Sequence, residues 1–225
     1  MVGERSHSPA ENVSAVIPSY RRHREVRRAV ERALNQSWAP LEVIVVNDGA
    51  DVAKGRMLTA VDERIRFFEA PRRRSASATR NYGIRRARGE WVALLDDDDV
   101  WLPDKLERQF EALSQAGGGP AILAGVERVH HARGGVALRP ERVPQGRSSV
   151  NHVLFSGGGG IHTSTIVAPT AAFREHPFNE AAERHEGLEW LLRTGQDLDL
   201  VVTPVVVCER WVRPGDGLSR PGGFE

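Results

Sequence analysis

Four consecutive aspartates, Asp96 to Asp99, follow the apolar run "WVALL" directly. Like charges packed that closely raise one another's pKa or recruit a cation. Alternate residues of an extended segment point the same way, so Asp96 and Asp98 share a face, and hard carboxylate oxygens suit Mg2+ or Mn2+. A solvated acidic turn, with Asp99 or Asp104 capping the next helix, is the competing reading of the same residues. "VVNDGA" (45–50) ends a second β-branched run, and Asp48 in it is also ordinary turn chemistry. "PSYRR" (18–22) ends a third, where Tyr20 offers a ring face to a planar base. Arg80 stands in "SASATR", where free backbone N–H groups and the helix dipole add to its charge to favour an anionic oxygen.

The elements that must position these groups are legible in the first half. "VSAVI" (13–17) reads as a strand stopped by Pro18, and Val26, Ala29, Val30, Ala33 and Leu34 recur at helical spacing. "LEVIVV" (41–46) is apolar on both alternations, as a strand covered on both faces is. The pattern repeats, with a strand over 65–70, a helix over 75–88 capped by Gly89, a strand over 91–95, and a helix starting at Pro103 and Asp104 whose Leu106, Phe110 and Leu113 form one stripe. This alternation predicts an α/β fold with a mostly parallel sheet flanked by helices, all three chemical runs lying at strand carboxyl ends, where open α/β sheets bind ligands.

Beyond "SQAGGGP" (114–120) the periodicity weakens. A hairpin around Arg133-Gly134-Gly135, a mobile loop over 140–160 with Gly157 to Gly160 as a flexible lid, a strand over 163–169, a helix carrying Leu188, Leu191 and Leu192, and a final strand in "LDLVVTPVVVCERW" are the expectations. The implied layout is a flexible tail (1–12), a nucleotide-sized half (13–116) and a smaller, mixed, variable half (117–225) of one domain.

Composition narrows the function. A net charge of +1 over 225 residues gives no global case for nucleic acid, and the arginines share an edge with acidic groups and lack interleaved aromatics. No segment reaches the ~20 apolar residues of a membrane helix, and the lone Cys208 cannot form an internal disulfide, which favours a reducing, cytoplasmic setting. The histidines are scattered and show no metal-ligand spacing.

Taken in order, "VSAVIPSYRR", "LEVIVVNDGA", "SATRNYGIRRARGEWVALLDDDDVWLPDKLERQ" and "FNEAAERHEGLEWLLR" resemble the family 2 glycosyltransferases of the GT-A fold over residues 12–219. The resemblance implies an inverting, metal-dependent transfer of sugar from a nucleotide donor, with UDP or dTDP as the leading nucleotides, to a glycan, small-molecule or peptide acceptor over the second half. It puts Pro18, Tyr20 and Asp48 on the nucleobase, Arg80 near the nucleotide, Asp96 toward the ribose and Asp98 on Mn2+ or Mg2+, with Asp97 between them on the nucleotide side. The chain departs from the family pattern in three places. Where a Glu-Asp pair is usual, with the aspartate as base, stands His185-Glu186-Gly187, which leaves Glu186, or Glu189 one turn later, to act as base. Asn47 occupies a position that is often aspartate, and Arg213 one that is often histidine, where it could add a diphosphate-binding cation. A catalytically silent nucleotide-sugar binder of the same fold is the alternative that Gly187 raises.

Overall fold

The computed structural model describes residues 12–70, 75–156, 160–182 and 184–212. Residues 1–11 of the expected tail (1–12), Arg213 and the glycines at 157–159 lie outside them. Strands β1 (Val13–Ser19), β2 (Glu42–Asn47), β3 (Ile65–Glu69) and β4 (Trp91–Leu94) are parallel neighbours in the order β3-β2-β1-β4. The chain leaves the sheet centre in one direction through β2 and β3, then returns to the other side of β1. That reversal opens a crevice at the carboxyl ends of β1 and β4.

Each strand is apolar on both faces because both are covered. Val13, Ala15, Ile17, Val43, Val45, Ala93 and Leu95 pack with Val26, Val30 and Ala33 of α1 (His23–Leu34) and with Leu106, Phe110 and Leu113 of α4 (Lys105–Gln115). Val16, Ile44, Val46, Val92 and Leu94 pack on the opposite face with Ile84 of α3 (Ala76–Ile84) and Phe173 of α6 (Thr170–Glu175). Trp190 and Leu191 of α7 (Glu186–Thr194) complete that layer. Odd and even positions of the strands thus serve different helix layers, the period-two rule at work.

The second half joins the same sheet. β6 (Ile122–His131) and β10 (Leu200–Val212) run parallel to each other, and β9 (Val167–Pro169) is antiparallel to both β4 and β6, so it is the join between the halves. β5 (Val100–Trp101) and β8 (Arg147–Ser148) pair antiparallel with β10, and β7 (Val136–Arg139) forms the expected hairpin with β6.

Several expectations need correction. The helix predicted over 75–88 ends at Ile84, and Gly89 does not cap it. A Cβ on Gly89 would lie 2.3 Å from the Asn12 carbonyl oxygen, so glycine is there for close backbone approach to the start of β1. Residues 140–160 are not one loop, since they contain β8 and α5 (Val150–Ser156), whose Val150 and Val153 are buried. The strand predicted over 163–169 is a single 3-10 turn, Thr163–Thr165, followed by the three residues of β9. Helix α2 (Val52–Thr59) leaves no apolar stripe in the sequence, because Gly55 interrupts it and Val52 and Met57 are exposed. Gly55 lets α2 seat on Phe67, whose ring a Cβ would meet at 2.7 Å.

Candidate active site

A pocket of about 600 Å3 opens at the predicted crevice, lined by Pro18, Ser19, Tyr20, Arg22, Asp48, Ala76, Thr79, Arg80 and Asp96 to Asp98. Every residue that the sequence placed on the nucleotide or the metal therefore lines one cavity, Arg213 excepted. β1 delivers Pro18 to Tyr20 from its carboxyl end, β2 delivers Asp48, and α3 delivers Arg80 from its second turn. The Asp48 N–H donates to the Ser19 carbonyl at 2.8 Å, locking the two strand ends together. Asn47 explains its own departure from aspartate, because its Oδ1 accepts from the Lys54 ammonium at 2.9 Å while its Nδ2 donates to the Gly49 carbonyl, which a carboxylate could not do.

The four aspartates have four different environments. Asp96 accepts from Arg80 Nη2 at 2.6 Å. Burial pushes its carboxyl up, but Arg80, aided by His162 and Arg22, holds it below the ordinary range. Asp97 is buried and its Oδ2 has no hydrogen-bond partner; burial pushes it up to about 6 against the pull of Arg22. Asp98 is the most open of the four, and its carboxylate lies 2.5 Å from Arg22 Nη1, the same nitrogen that reaches Asp97 Oδ1 at 2.9 Å. Asp99 is buried, accepts from Ser164 Oγ at 2.5 Å, and is pushed up to about 7 by burial despite His162 at 3.4 Å.

The expected pair, Asp96 and Asp98, lines the pocket, and a second cluster shares Asp96 with it. Asp96, Asp99 and His162 form the one Asp/Glu/His/Cys trio among the described residues whose ligand atoms all fall within 4.8 Å of one another. The scattered histidines thus do supply one member of a possible metal set, through the fold and not through spacing. The 3-10 turn makes this possible. Ser164 Oγ accepts the Asp96 N–H at 3.0 Å and donates to Asp99, while Trp101 Nε1 and Gln109 hold the Ser164 and Thr165 carbonyls. The Trp-x-Pro-x-Lys run therefore works as a bracket for the acidic run. Behind it Lys105 is fully buried, donates to Gln109 at 2.6 Å, sits 4.4 Å from the Trp101 ring centroid, and is pushed down to about 7 by burial.

Arg80 spans the two halves. Its Nη1 holds Glu186 at 2.9 Å while Nη2 holds Asp96, and its Nε is buried without a partner. Its neighbour Asn81 exchanges two hydrogen bonds with the backbone of Phe178, both at 2.9 Å, and so anchors the segment leading to α7. Glu186 opens α7 and is held by Arg80, whereas Glu189 is bound at 2.9 and 3.0 Å by Arg193; neither glutamate is among the pocket-lining residues. Gly187 is a packing requirement here, since a Cβ would lie 2.7 Å from Thr163 Oγ1.

Residues 14–180 match the family model described as glycosyl transferase family 2. The chain belongs to that family. It is 38% identical over 112 residues to the succinoglycan biosynthesis protein ExoO of Rhizobium meliloti, covering 49% of this chain and 32% of that protein. It is 30% identical over 102 residues to the UDP-Glc:alpha-D-GlcNAc-diphosphoundecaprenol beta-1,3-glucosyltransferase WfgD of Escherichia coli, covering 45% of this chain and 40% of that protein. The chain thus matches about a third to two fifths of the length of these relatives. Its fold matches that of Staphylococcus aureus TarS 1-349 in complex with UDP, with a TM-score of 0.73 over 90% of this chain and 61% of the other at 15% identity. The same TarS fragment is also known with UDP-GlcNAc.

Family motifs alone do not point to every residue of the site. In the sequence Arg22 is one basic residue among many, although its place two residues after Tyr20, at a strand's carboxyl end, is a usable signal. His162, Ser164 and Lys54 carry no signal, because distant elements bring them to the acidic run.

Proposed function

We propose that this chain binds a nucleoside diphosphate sugar, UDP-linked by preference, and transfers the sugar with inversion to an acceptor hydroxyl. The observation that carries this reading is the convergence of Tyr20, Asp48, Arg80 and the acidic run on one cavity at the sheet's reversal point. A base would lie between Pro18 and Tyr20, with Asp48 accepting from its N–H edge and Asp96 from a ribose hydroxyl. UDP is favoured because it is the nucleotide named for the TarS complex and in the WfgD description.

A divalent cation fits the residues present. The donor set is hard oxygen, and the buried Asp97 Oδ2 lacks any partner. Asp98 and Asp96 would hold Mn2+ or Mg2+, with Asp99 and His162 in reach of Asp96. When bound, such an ion stabilises negative charge on a departing diphosphate. The chain's own groups do the rest. The acceptor oxygen attacks the anomeric carbon from the face opposite the diphosphate, the sugar–phosphate bond breaks, and the acceptor proton passes to a carboxylate. Glu186 is that carboxylate, held at its post by Arg80, and Glu189 ranks below it because Arg193 occupies both its oxygens.

One observation favours a second reading. Gly187 stands where the family's aspartate is usual and Glu186 is ion-paired, which describes a donor-binding protein without turnover equally well. A thermal-shift screen of UDP-, dTDP- and GDP-sugars with and without Mn2+ tests the first reading, since a ligand of the native state raises the melting temperature. A shift with UDP-sugars that depends on Mn2+ supports it, and the absence of any nucleotide-dependent shift refutes it. Donor binding without consumption across an acceptor panel selects the silent protein.

A further inference from the structure

Arg22 Nη1 contacts two carboxylates at once, Asp97 at 2.9 Å and Asp98 at 2.5 Å. A single positive nitrogen between two carboxylate oxygens occupies the geometry that a bridging cation takes. The position is specifically built. Arg21 adopts φ 53, a left-handed conformation uncommon for a non-glycine residue, and this turn carries the chain from Tyr20 into α1 with Arg22 aimed back over the acidic run. Arg28 from the next turn of α1 donates to the Asp98 carbonyl at 3.2 Å, reinforcing the same contact. Beneath it lies the unpartnered Asp97 Oδ2, and the buried Lys54 is committed to Ser19 and Asn47 at 2.8 and 2.9 Å. Arg22 itself is 41% exposed and lines the pocket, so it can swing away without breaking the core.

We infer that Arg22 is a resident counter-cation of the acidic run, one that a divalent metal must displace from Asp98, so that it sets the metal affinity of the empty pocket. This rests on the metal-dependent reading above. Two cations of like sign cannot share one pair of carboxylates without cost, so each weakens the other's hold by the same factor. Displacement also frees a guanidinium beside the pocket, where the donor's diphosphate would be a new partner. Without nucleotide the site therefore holds stray cations more weakly than it would without Arg22, until a metal–donor complex offers Arg22 an alternative.

The test is direct titration of Mn2+ into the protein without nucleotide, read by the electron paramagnetic resonance signal of free Mn2+. Arg22→Gln is expected to bind Mn2+ roughly two- to fivefold more tightly than the wild type, in keeping with the modest strength of a half-exposed pair. Arg22→Lys, which keeps the charge and loses the planar fork, should fall between them. It also serves as the readout should the glutamine variant melt several degrees lower. Equal or weaker Mn2+ binding in both variants overturns the inference and leaves the metal reading intact so long as the wild type binds Mn2+ and Asp98→Ala does not. Binding only in the Arg22 variants supports it. No Mn2+ binding in any variant defeats both the inference and the metal reading.

Discussion

Charge at this site is managed residue by residue. Arg80 and Arg22 divide the acidic run between them, and Asp99 is left to a serine and a histidine. Glu186→Gln should lower kcat by about 10²–10⁴ with donor KM nearly unchanged, because the amide keeps a contact to Arg80 while losing the ability to take a proton. A variant as active as the wild type would move the base elsewhere. Lys105 makes a separate, structural prediction. Burial lowers it from its ordinary 10.5 to about 7, so between those values the unfolded chain binds a proton that the folded chain does not. Stability from this residue therefore rises with pH across pH 7 to 10.5 and is constant below. Urea midpoints at pH 7, 8 and 9 should show that rise in the wild type and lose it in Lys105→Met; equal slopes in both proteins would contradict it.

At the scale of elements, the 3-10 turn Thr163–Thr165 links the acidic run to the start of α7. Ser164 ties down Asp96 and Asp99, and Thr163 fills the space over Gly187. Restoring the family's aspartate by Gly187→Asp should therefore destabilise the protein by about 1–3 kcal/mol, despite the favourable place of an acid in a helix's first turn. Thr163→Ala in the same chain should recover most of the loss in a thermal melt, since the clash is with Thr163 Oγ1; no recovery would show that the backbone and not the hydroxyl forbids a side chain there. This turn was not legible as such in the sequence, where "TSTIVAP" reads as one strand, because a short β-branched run does not reveal where hydroxyls bond to a neighbouring loop. The strands of the first half were legible because both faces are covered and the apolar runs are continuous. Helix α2 was not, since a glycine and two exposed apolar residues erase its stripe.

For the whole molecule, one sheet carries both halves, and the site lies where β1 and β4 part at the sheet's reversal point. That edge could be read in advance, because parallel strands put all their carboxyl ends on one side, and Asp48, Tyr20 and Asp96 each follow an apolar run. The resemblance already brought Glu186 to the site; what could not be read was the closure by the second half through β9 and His162, whose order in the chain gives no hint of their meeting. Asn81 is the clearest such bond, with its two hydrogen bonds to Phe178. Asn81→Leu should cost about 2–3 kcal/mol in a urea melt by orphaning buried backbone groups, and a loss below half a kcal/mol (about the error of such a melt) would mean that the halves are held otherwise. The pocket itself is most directly tested by calorimetric titration of UDP, with and without Mn2+, into the wild type, Asp48→Ala and Asp98→Ala. The wild type should bind UDP more tightly with Mn2+, Asp48→Ala should lose affinity in both conditions, and Asp98→Ala should lose only the Mn2+-dependent part. A wild type that binds no UDP, or two variants that bind it as the wild type does, would contradict a nucleotide-diphosphate site at this edge of the sheet.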